Sequence, residues 1–450
     1  MRKMLATRVR TLLSAVAVST ALLSGHTWFS TANALASEPL TIDEYRELMI
    51  VHPSVVDPFL NGGRSSNGSP SEPGGVWSLR TLLESINVNH SAADVNAFYA
   101  SLFEQWAASQ TADNGAIIPA RQQALVEGLL LNQFSTVDPT TQHRVYQLWK
   151  LPFELMAIVY RPDLRSVDGT DPGELRFVYK LLGPAGEDLK FTLNMEYALP
   201  DALWDGTQMN AAAWANNFHR LGALPVGSDA YLRTLEAMTR EATDRLYNFS
   251  METRIRHVRT NELAFDPSGA WQLREFVTAR PSFSKIHFVA SAVDDTPAES
   301  VNGSQTLADF VLSNPVLAQS GTSFMKPENI RAFAPALLAG ASNVGVKWSI
   351  PGATAATSVA VDNFGSLTCN GCHQDNKKKA DGTMHVPGEI EFYQIKPDID
   401  PDQSGQARLS KFLTSADPDR ARESELSRRK AELTQLLGQP WNSLWLNYPQ

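Results

Sequence analysis

Cysteine is nearly absent from this sequence: a chain of 450 residues contains only two, Cys369 and Cys372. Two cysteines cannot cross-link a chain of this length, which excludes the small, disulfide-stabilised class of exported domain. The core must instead be held by the burial of apolar side chains. With 43% hydrophobic residues, including 10 tryptophans and 20 phenylalanines, the composition is sufficient for such a core.

Long apolar runs are also scarce, and the clearest one lies at the N-terminus. Residues 12–23 are apolar or small, and they follow a basic stretch that contains Arg2, Lys3, Arg8 and Arg10. The run is too short for a stable membrane span, and Ala34-Leu35-Ala36 supplies a small-x-small cleavage signal. This pattern predicts a signal peptide over residues 1–36 and a mature periplasmic or secreted protein of Gram-negative type. No later stretch approaches ~18 consecutive apolar residues, so no membrane span is expected after signal removal.

Basic residues are also fewer than acidic ones. Of the 39 basic residues, four fall in the predicted signal peptide, so 35 face 48 acidic residues in the mature chain, a net charge of −13. Such an acidic chain repels phosphate groups, which argues against nucleic acid or anionic lipid as a partner.

The hydrophobic patterns predict an α+β fold with a helical N-terminal part (37–148), a mixed body with an antiparallel-rich sheet (149–349) and a loop-rich C-terminal segment ending in a helix (350–450). Runs rich in Val, Phe, Tyr and Leu predict strands over 153–160, 174–182, 190–199, 254–263, 271–278 and 285–293. Apolar spacing predicts helices over 42–51, 76–86, 91–106, 121–131, 211–221, 230–247, 305–312 and 417–437.

The clearest chemical signal is Cys369-Asn370-Gly371-Cys372-His373, which contains both cysteines of the chain. This spacing is typical of covalent c-type haem attachment. The two thiols add to the two vinyl groups of one haem, and the adjacent imidazole binds the iron as proximal ligand. Export agrees with this interpretation, because haem is attached to such motifs outside the cytoplasm.

Two other interpretations of the motif remain open. In an oxidising compartment Cys369 and Cys372 can form a local disulfide, structural or redox-active. Alternatively, both thiolates together with His373 and His385 would make four ligands suited to zinc. The zinc interpretation requires reduced thiols, which export disfavours.

The second axial ligand of a haem iron is less well defined. Met384 is the only methionine after the motif, and it lies eleven residues past His373, with His385 next to it. His385 is the better candidate, because its neighbours are typical of a loop and imidazole suits haem iron, although it could equally be a surface residue. Met325 or His287 could approach from elsewhere. Without any of these the iron would be five-coordinate, which favours small-ligand or peroxide chemistry.

Other candidate sites are weaker. Asp400, Asp402, Ser404 and Gly405 match the first half of a calcium-binding loop, but Lys411 stands where a bidentate glutamate is required. We therefore expect an acidic solvated turn and no calcium. His219 and His257 lie within a predicted helix and a predicted strand, which indicates structural histidines.

Several collinear stretches between about residue 150 and residue 415 resemble a family of large exported bacterial proteins, frequent in myxobacteria and some other proteobacteria, that carry one TCNGCH motif. They are LPFELMAIVYRPDLRS (151–166), GELRFVYKLL (173–182), FTLNMEYALP (191–200), WQLREF (271–276), NGSQTLADFV (302–311), LTCNGCHQ (367–374) and RLSKFL (408–413).

This resemblance implies that the motif belongs to a large architecture and not to a detachable cytochrome module. Cys369, Cys372 and His373 match the family motif, and His385 corresponds to a histidine that often follows it. The sequence departs from the family at Asp375-Asn376, where Glu-Thr is usual. The resemblance implies no particular activity.

Together these patterns predict an exported c-type haem protein that serves electron transfer or small redox chemistry with a separate redox partner. The alternative is a haem-free exported binding or structural protein with a local Cys369–Cys372 disulfide. No catalytic residue is assigned.

Overall fold

The computed structural model describes residues 41–89, 91–166, 171–203, 206–244, 253–268, 271–282, 285–294, 296–315, 317, 338–343, 348–369, 393–414 and 424–439. From Ile42 onward these residues belong to one compact unit. The predicted signal peptide lies outside the described residues.

An antiparallel sheet forms the centre of the molecule. Its strands are β1 (Met49–Ile50), β6 (Phe153–Arg161), β7 (Glu174–Leu182), β8 (Asp188–Ala198), β9 (Ile255–Asn261), β10 (Gln272–Ser282), β11 (Lys285–Ser291) and β12 (Ser342–Asn343). They lie in the order β1-β6-β7-β8-β9-β10-β11, and β12 pairs with the start of β10. Two small hairpins lie outside this sheet: β2 (Gln110–Thr111) with β3 (Ile117–Ile118), and β4 (Ser135–Val137) with β5 (Arg144–Tyr146).

Helices surround the sheet and begin at side chains that accept hydrogen bonds from the first turn, such as Ser78, Ser91, Asn210 and Ser228. The α-helices are α1 (Glu44–Glu47), α2 (Pro53–Val56), α3 (Leu79–Ile86), α4 (Ala92–Phe103), α5 (Gln123–Val126), α6 (Asn132–Phe134), α7 (Ala211–Leu221), α8 (Asp229–Thr243), α9 (Gln305–Ser313), α10 (Ala355–Leu367), α11 (Lys411–Thr414) and α12 (Glu425–Leu437). A π-helical turn over Glu127–Leu131 connects α5 to α6.

The α+β class is confirmed, and the six predicted strands correspond to β6 to β11 with ends that shift by a few residues. Two differences are local. The segment predicted as one helix over 42–51 divides into α1 and the edge strand β1, because β1 pairs with β6. The C-terminal segment also contains α10, which the pattern did not predict. Thr354 and Thr357 cap its start reciprocally, and its Ala, Ser, Thr and Gly residues give only a weak apolar face.

The two faces of the sheet differ in character. One face presents apolar side chains such as Phe177, Met195, Val258 and Phe276 to the largest core cluster, which they share with α3, α4, α7 and α8. Side chains alternate between faces along a strand, so the neighbours of these residues point the opposite way. On that second face a small apolar cluster around Met156 and Val159 packs against the C-terminal residues Ile395, Leu413 and Leu426. The rest of the second face is largely charged.

Helix α12 is held against the body by buried ion pairs. Arg161 binds Asp163 through two hydrogen bonds of 2.9 Å and 2.7 Å, and Arg428 of α12 reaches Asp163 at 2.6 Å. Glu425 accepts from Arg428 and from Arg429. Burial alone would raise the pKa of Asp163, but Arg161 and Arg428 lower that pKa well below its usual value. Asp163 is therefore a carboxylate that folding keeps ionised.

No helix in the described part of the chain has the length and apolar content that a membrane crossing requires.

Asp163→Asn should destabilise the protein by about 3–5 kcal/mol near neutral pH, because it leaves Arg161 and Arg428 buried without their full partner. A carboxylate with a depressed folded pKa contributes stability that is complete above its unfolded pKa, near ~4, and is lost as pH falls through the folded pKa. The variant should therefore differ most from the wild type at neutral pH and progressively less in acid. Urea unfolding of both proteins at several pH values measures this difference in the free energy of unfolding.

The control is Asp229→Asn, because Asp229 pairs with Arg233 on α8 at the surface, with a side chain that is 63% exposed. That change should cost no more than about 1 kcal/mol. Equal losses of stability in the two variants would contradict the conclusion that Asp163 holds α12 against the body. So would a loss of stability in Asp163→Asn that does not become smaller in acid.

Candidate functional site

Of the residues predicted to hold a cofactor, Cys369 is described. Cys372, His373, Met384 and His385 fall within 370–392, outside the described residues, as does Met325. His287 lies on β11, opposite Ala279 of β10. The structure therefore places one end of the motif relative to the body of the protein.

Cys369 follows α10 and is hydrogen-bonded to the segment that follows β11. Its backbone N–H donates to Thr296 Oγ1 at 3.1 Å, and its Sγ lies 3.5 Å from the carbonyl oxygen of Asp294. The side chain is half-buried against a small apolar cluster of Trp271, Leu273 and Val293. The sulfur thus lies at the boundary between an apolar patch and a polar one.

The residue before the motif is anchored in the same way. Thr368 is fully buried and donates through Oγ1 to the carbonyl of Gly365, which closes the last turn of α10. Its Oγ1 also accepts from Trp348 Nε1 at 3.2 Å. Trp348 and Phe364 pack edge to face in a second apolar cluster with α9. The start of the motif is therefore set by tertiary contacts on both sides.

A row of charged residues, here called the charged stripe, crosses the second face of the sheet toward Cys369. Antiparallel pairing places these residues side by side: Arg176 lies opposite Glu196, Glu196 opposite His257, and Arg259 opposite Glu275. Asp294 follows β11 and completes the row. The stripe consists of Arg176, Glu196, His257, Arg259, Glu275 and Asp294.

Ion pairs connect the stripe from end to end. Glu196 lies 3.2 Å from both Arg176 and Arg259, and Arg259 Nε donates to Glu275 Oε2 at 2.7 Å. His257 Nε2 lies 3.4 Å from Glu275 Oε1 and 3.5 Å from Asp294 Oδ2. Asp294 therefore connects the stripe to the motif, because its carbonyl oxygen faces the Cys369 sulfur while its carboxylate faces His257.

Protonation along the stripe is uneven. Burial alone would raise the pKa of Glu196, but Arg176 and Arg259 lower it far below the usual value. Burial raises the pKa of Glu275, and Arg259 and His257 offset only part of that effect. Burial lowers the pKa of His257, but Glu275 and Glu196 outweigh it and the pKa is raised. Glu196 therefore stays ionised. The raised pKa values of His257 and Glu275 mean that a proton, or another positive charge, is favoured between these two side chains.

Several buried polar atoms lie on this face without a hydrogen bond. Within the described residues, Asn194 Oδ1, His257 Nδ1 and Glu275 Oε1 are buried and have no hydrogen-bond partner. Folded proteins leave few such atoms, and each calls for a physical reason. His257, Glu275 and Asp294 also form the group of potential metal ligands in the described part of the chain, with donor atoms within 4.8 Å of one another.

The acidic turn predicted over 400–405 is present. The Asp402 carboxylate accepts from the backbone N–H groups of Ser404 and Gln406 and thereby closes its own turn, with Gly405 at a positive φ of 82°. Asp398, near this turn, lies 3.6 Å from Lys190.

His219 has the structural role predicted for it, because its Nδ1 lies 2.8 Å from Glu47 Oε2 between α7 and α1. The same prediction was made for His257 from its place in a strand. The sequence signal for the stripe was the alternation of charged and apolar residues along some of its strands, as in Glu-Leu-Arg over 174–176 and His-Val-Arg over 257–259. Such alternation also marks a solvent-exposed face, so it did not single out His257.

No protein-family model, curated protein or solved structure matches this chain.

Thr296→Val should destabilise the protein by about 1–3 kcal/mol, because it leaves the backbone N–H of Cys369 without its hydroxyl acceptor. Thermal or urea unfolding measures the change. In a Cys372→Ser background, where no second thiol can pair with it, Cys369 should also react faster with a thiol reagent.

Thr278→Val, at a half-buried position of β10, serves as the control and should change both quantities less. Wild-type stability together with an unchanged thiol reaction rate in Thr296→Val would mean that this hydrogen bond does not fix Cys369.

Proposed function

We propose that this protein is an exported c-type haem protein that serves electron transfer or small redox chemistry. The observation that carries the proposal is the motif itself: the two cysteines of the chain and His373 form one CxxCH sequence, behind a predicted signal peptide. The proposed location is therefore the periplasm or the cell exterior.

The surroundings of Cys369 support this proposal. A thiol that bonds to a porphyrin vinyl group must be reachable, and the Cys369 side chain is half-buried rather than enclosed in the core. Trp271, Leu273 and Val293 give it an apolar neighbour on one side. A porphyrin requires such an apolar wall, because most of the surface of a bound cofactor is removed from water.

The roles of the residues follow from their chemistry. Cys369 and Cys372 would hold the porphyrin covalently, His373 would bind the iron, and His385 or Met384 would supply a second iron ligand. The haem would supply an iron that accepts and returns one electron or binds a small ligand. The protein would fix the attachment point through Thr296, Asp294 and the buried Thr368, and would exchange electrons with a separate redox partner.

Expression in a host that attaches c-type haem should give a protein with one covalent haem per chain. After denaturation in acid and solvent extraction, the Soret absorption should remain with the polypeptide, because thioether bonds survive both treatments. Cys369→Ser/Cys372→Ser should lose the absorption, whereas Thr278→Val should keep it.

A wild-type chain without covalent haem under these conditions would overturn the proposal. Counting thiols in that protein before and after reduction then identifies the alternative. No reactive thiol before reduction and two after it would indicate a haem-free binding or structural protein with a local Cys369–Cys372 disulfide.

If His385 binds the iron opposite His373, His385→Ala should convert a low-spin haem spectrum into a high-spin one, while Met384→Ala should leave it low-spin. The converse result would assign the ligand to Met384. A spectrum that is high-spin in the wild type and unchanged in both variants would rule out both residues and indicate a five-coordinate iron.

A further inference from the structure

We propose that His257, Glu275 and Asp294 form a binding site for one divalent metal ion of the zinc type, next to the haem motif and separate from it. The three donors come from β9, from β10 and from the residue run directly after β11. Strands and their immediate ends hold side chains in fixed positions, as a metal site requires.

The distances between donors fit a shared metal ion better than a salt bridge. His257 Nε2 lies 3.4 Å from Glu275 Oε1 and 3.5 Å from Asp294 Oδ2. A charge-assisted hydrogen bond between an imidazolium and a carboxylate is shorter, at about 2.7–2.9 Å. Two ligands of a tetrahedral ion with bonds of about 2.0–2.2 Å are separated by about 3.4 Å. Both contacts therefore have the separation of two donors on one small cation.

Glu275 offers an oxygen that faces His257 and accepts no hydrogen bond among the described residues. The residue is 1% exposed, and its Oε1 has no hydrogen-bond partner among the described residues. Its other oxygen, Oε2, accepts from Arg259 Nε at 2.7 Å and from the Asp294 backbone N–H at 3.2 Å. These two bonds fix the carboxylate so that Oε1 points toward His257. A buried carboxylate oxygen that accepts no hydrogen bond costs free energy, which a bound cation would recover.

A second layer of residues supports the imidazole. His257 Nδ1 faces Glu196 Oε2 at 3.8 Å, while Nε2 faces the two donor carboxylates. Arg176 and Arg259 hold Glu196 in place. Metal-binding histidines commonly direct their second nitrogen toward a carboxylate in this way, which orients the ring and raises its basicity.

The charge balance of the network calls for two positive charges. Ion pairs connect five carboxylates, three guanidinium groups and His257 in the described part of the chain. The carboxylates belong to Asp171, Glu174, Glu196, Glu275 and Asp294, and the guanidinium groups to Arg176, Arg256 and Arg259. With His257 neutral, as a metal ligand must be, two negative charges remain, which one divalent ion neutralises.

The site is also accessible. The Asp294 side chain is 39% exposed, so an ion can enter from solvent without unfolding the sheet. Three protein donors leave one coordination position for water. Imidazole with carboxylates suits zinc and similar divalent ions.

The test uses metal-stripped, folded protein titrated with zinc chloride in a calorimeter near neutral pH, with bound zinc counted by mass spectrometry. Because the motif cysteines can bind zinc themselves, the titration uses Cys369→Ser/Cys372→Ser as the parent. The parent should bind one equivalent of zinc. Glu275→Gln keeps the shape of the side chain, and Asp294→Asn alters a partly exposed residue; each should weaken binding by about 10-fold or more.

His219→Ala is the matched control, since it removes an imidazole from the His219–Glu47 pair, which belongs to no group of three potential ligands in the described residues. It should leave the affinity unchanged. A parent that binds no zinc, or wild-type affinity in Asp294→Asn, would overturn the proposal. If Glu275→Gln fails to fold, Asp294→Asn alone decides. Neither result depends on haem attachment, so this inference and the proposed function can fail separately.

Discussion

Buried charge is stabilised by groups of opposite sign beside it, and the second face of the sheet is built around that constraint. Glu196 is fully buried, and it persists because Arg176 and Arg259 face it from both neighbouring strands. The same holds at the other end of the face, where Asp163 is enclosed by Arg161 and Arg428. The first face stabilises the fold by apolar burial. The second face instead positions groups, and both α12 and Cys369 lie against it.

The position of Cys369 follows from this arrangement. Its sulfur meets the Asp294 carbonyl, and its backbone meets Thr296, across separations of 75 and 73 residues in sequence. The motif therefore begins as an integral part of a large body and not as an independent module. Because Cys369 is held by residues that follow a distant strand, its position depends on the sheet, and remote changes in the sheet can alter it.

Sequence reasoning found the parts of the fold that local patterns encode. Alternating Val, Phe, Tyr and Leu between glycine and proline breaks marked β6 to β11, and the apolar stripe around Trp214 and Phe218 gave α7 with its correct ends. Helix α10 was not found because it consists mainly of small residues and is only weakly amphipathic. Its threonine cap also lacks the usual glutamate or glutamine. Likewise, the motif was evident from five adjacent residues, whereas the partners of Cys369 were not.

The charged stripe illustrates the limit of such reasoning. Its members are separated in sequence by up to 118 residues, and each alone has the character of a surface residue. Only the pairing of β7, β8, β9 and β10 shows that they face one another and that Glu196, Arg259 and Glu275 are buried. Burial is a property of the assembled sheet, and a pattern within one strand cannot report it.

The alternation that creates the stripe has a consequence for folding. Because successive side chains point to opposite faces, a slip of one residue between β8 and β9 would move Glu196 or His257 onto the apolar face and Met195 or Val258 off it. Such a misaligned sheet would bury charges among the aromatic rings of the main core. The stripe therefore helps to specify strand register, because it makes alignments shifted by one residue far less stable than the correct alignment.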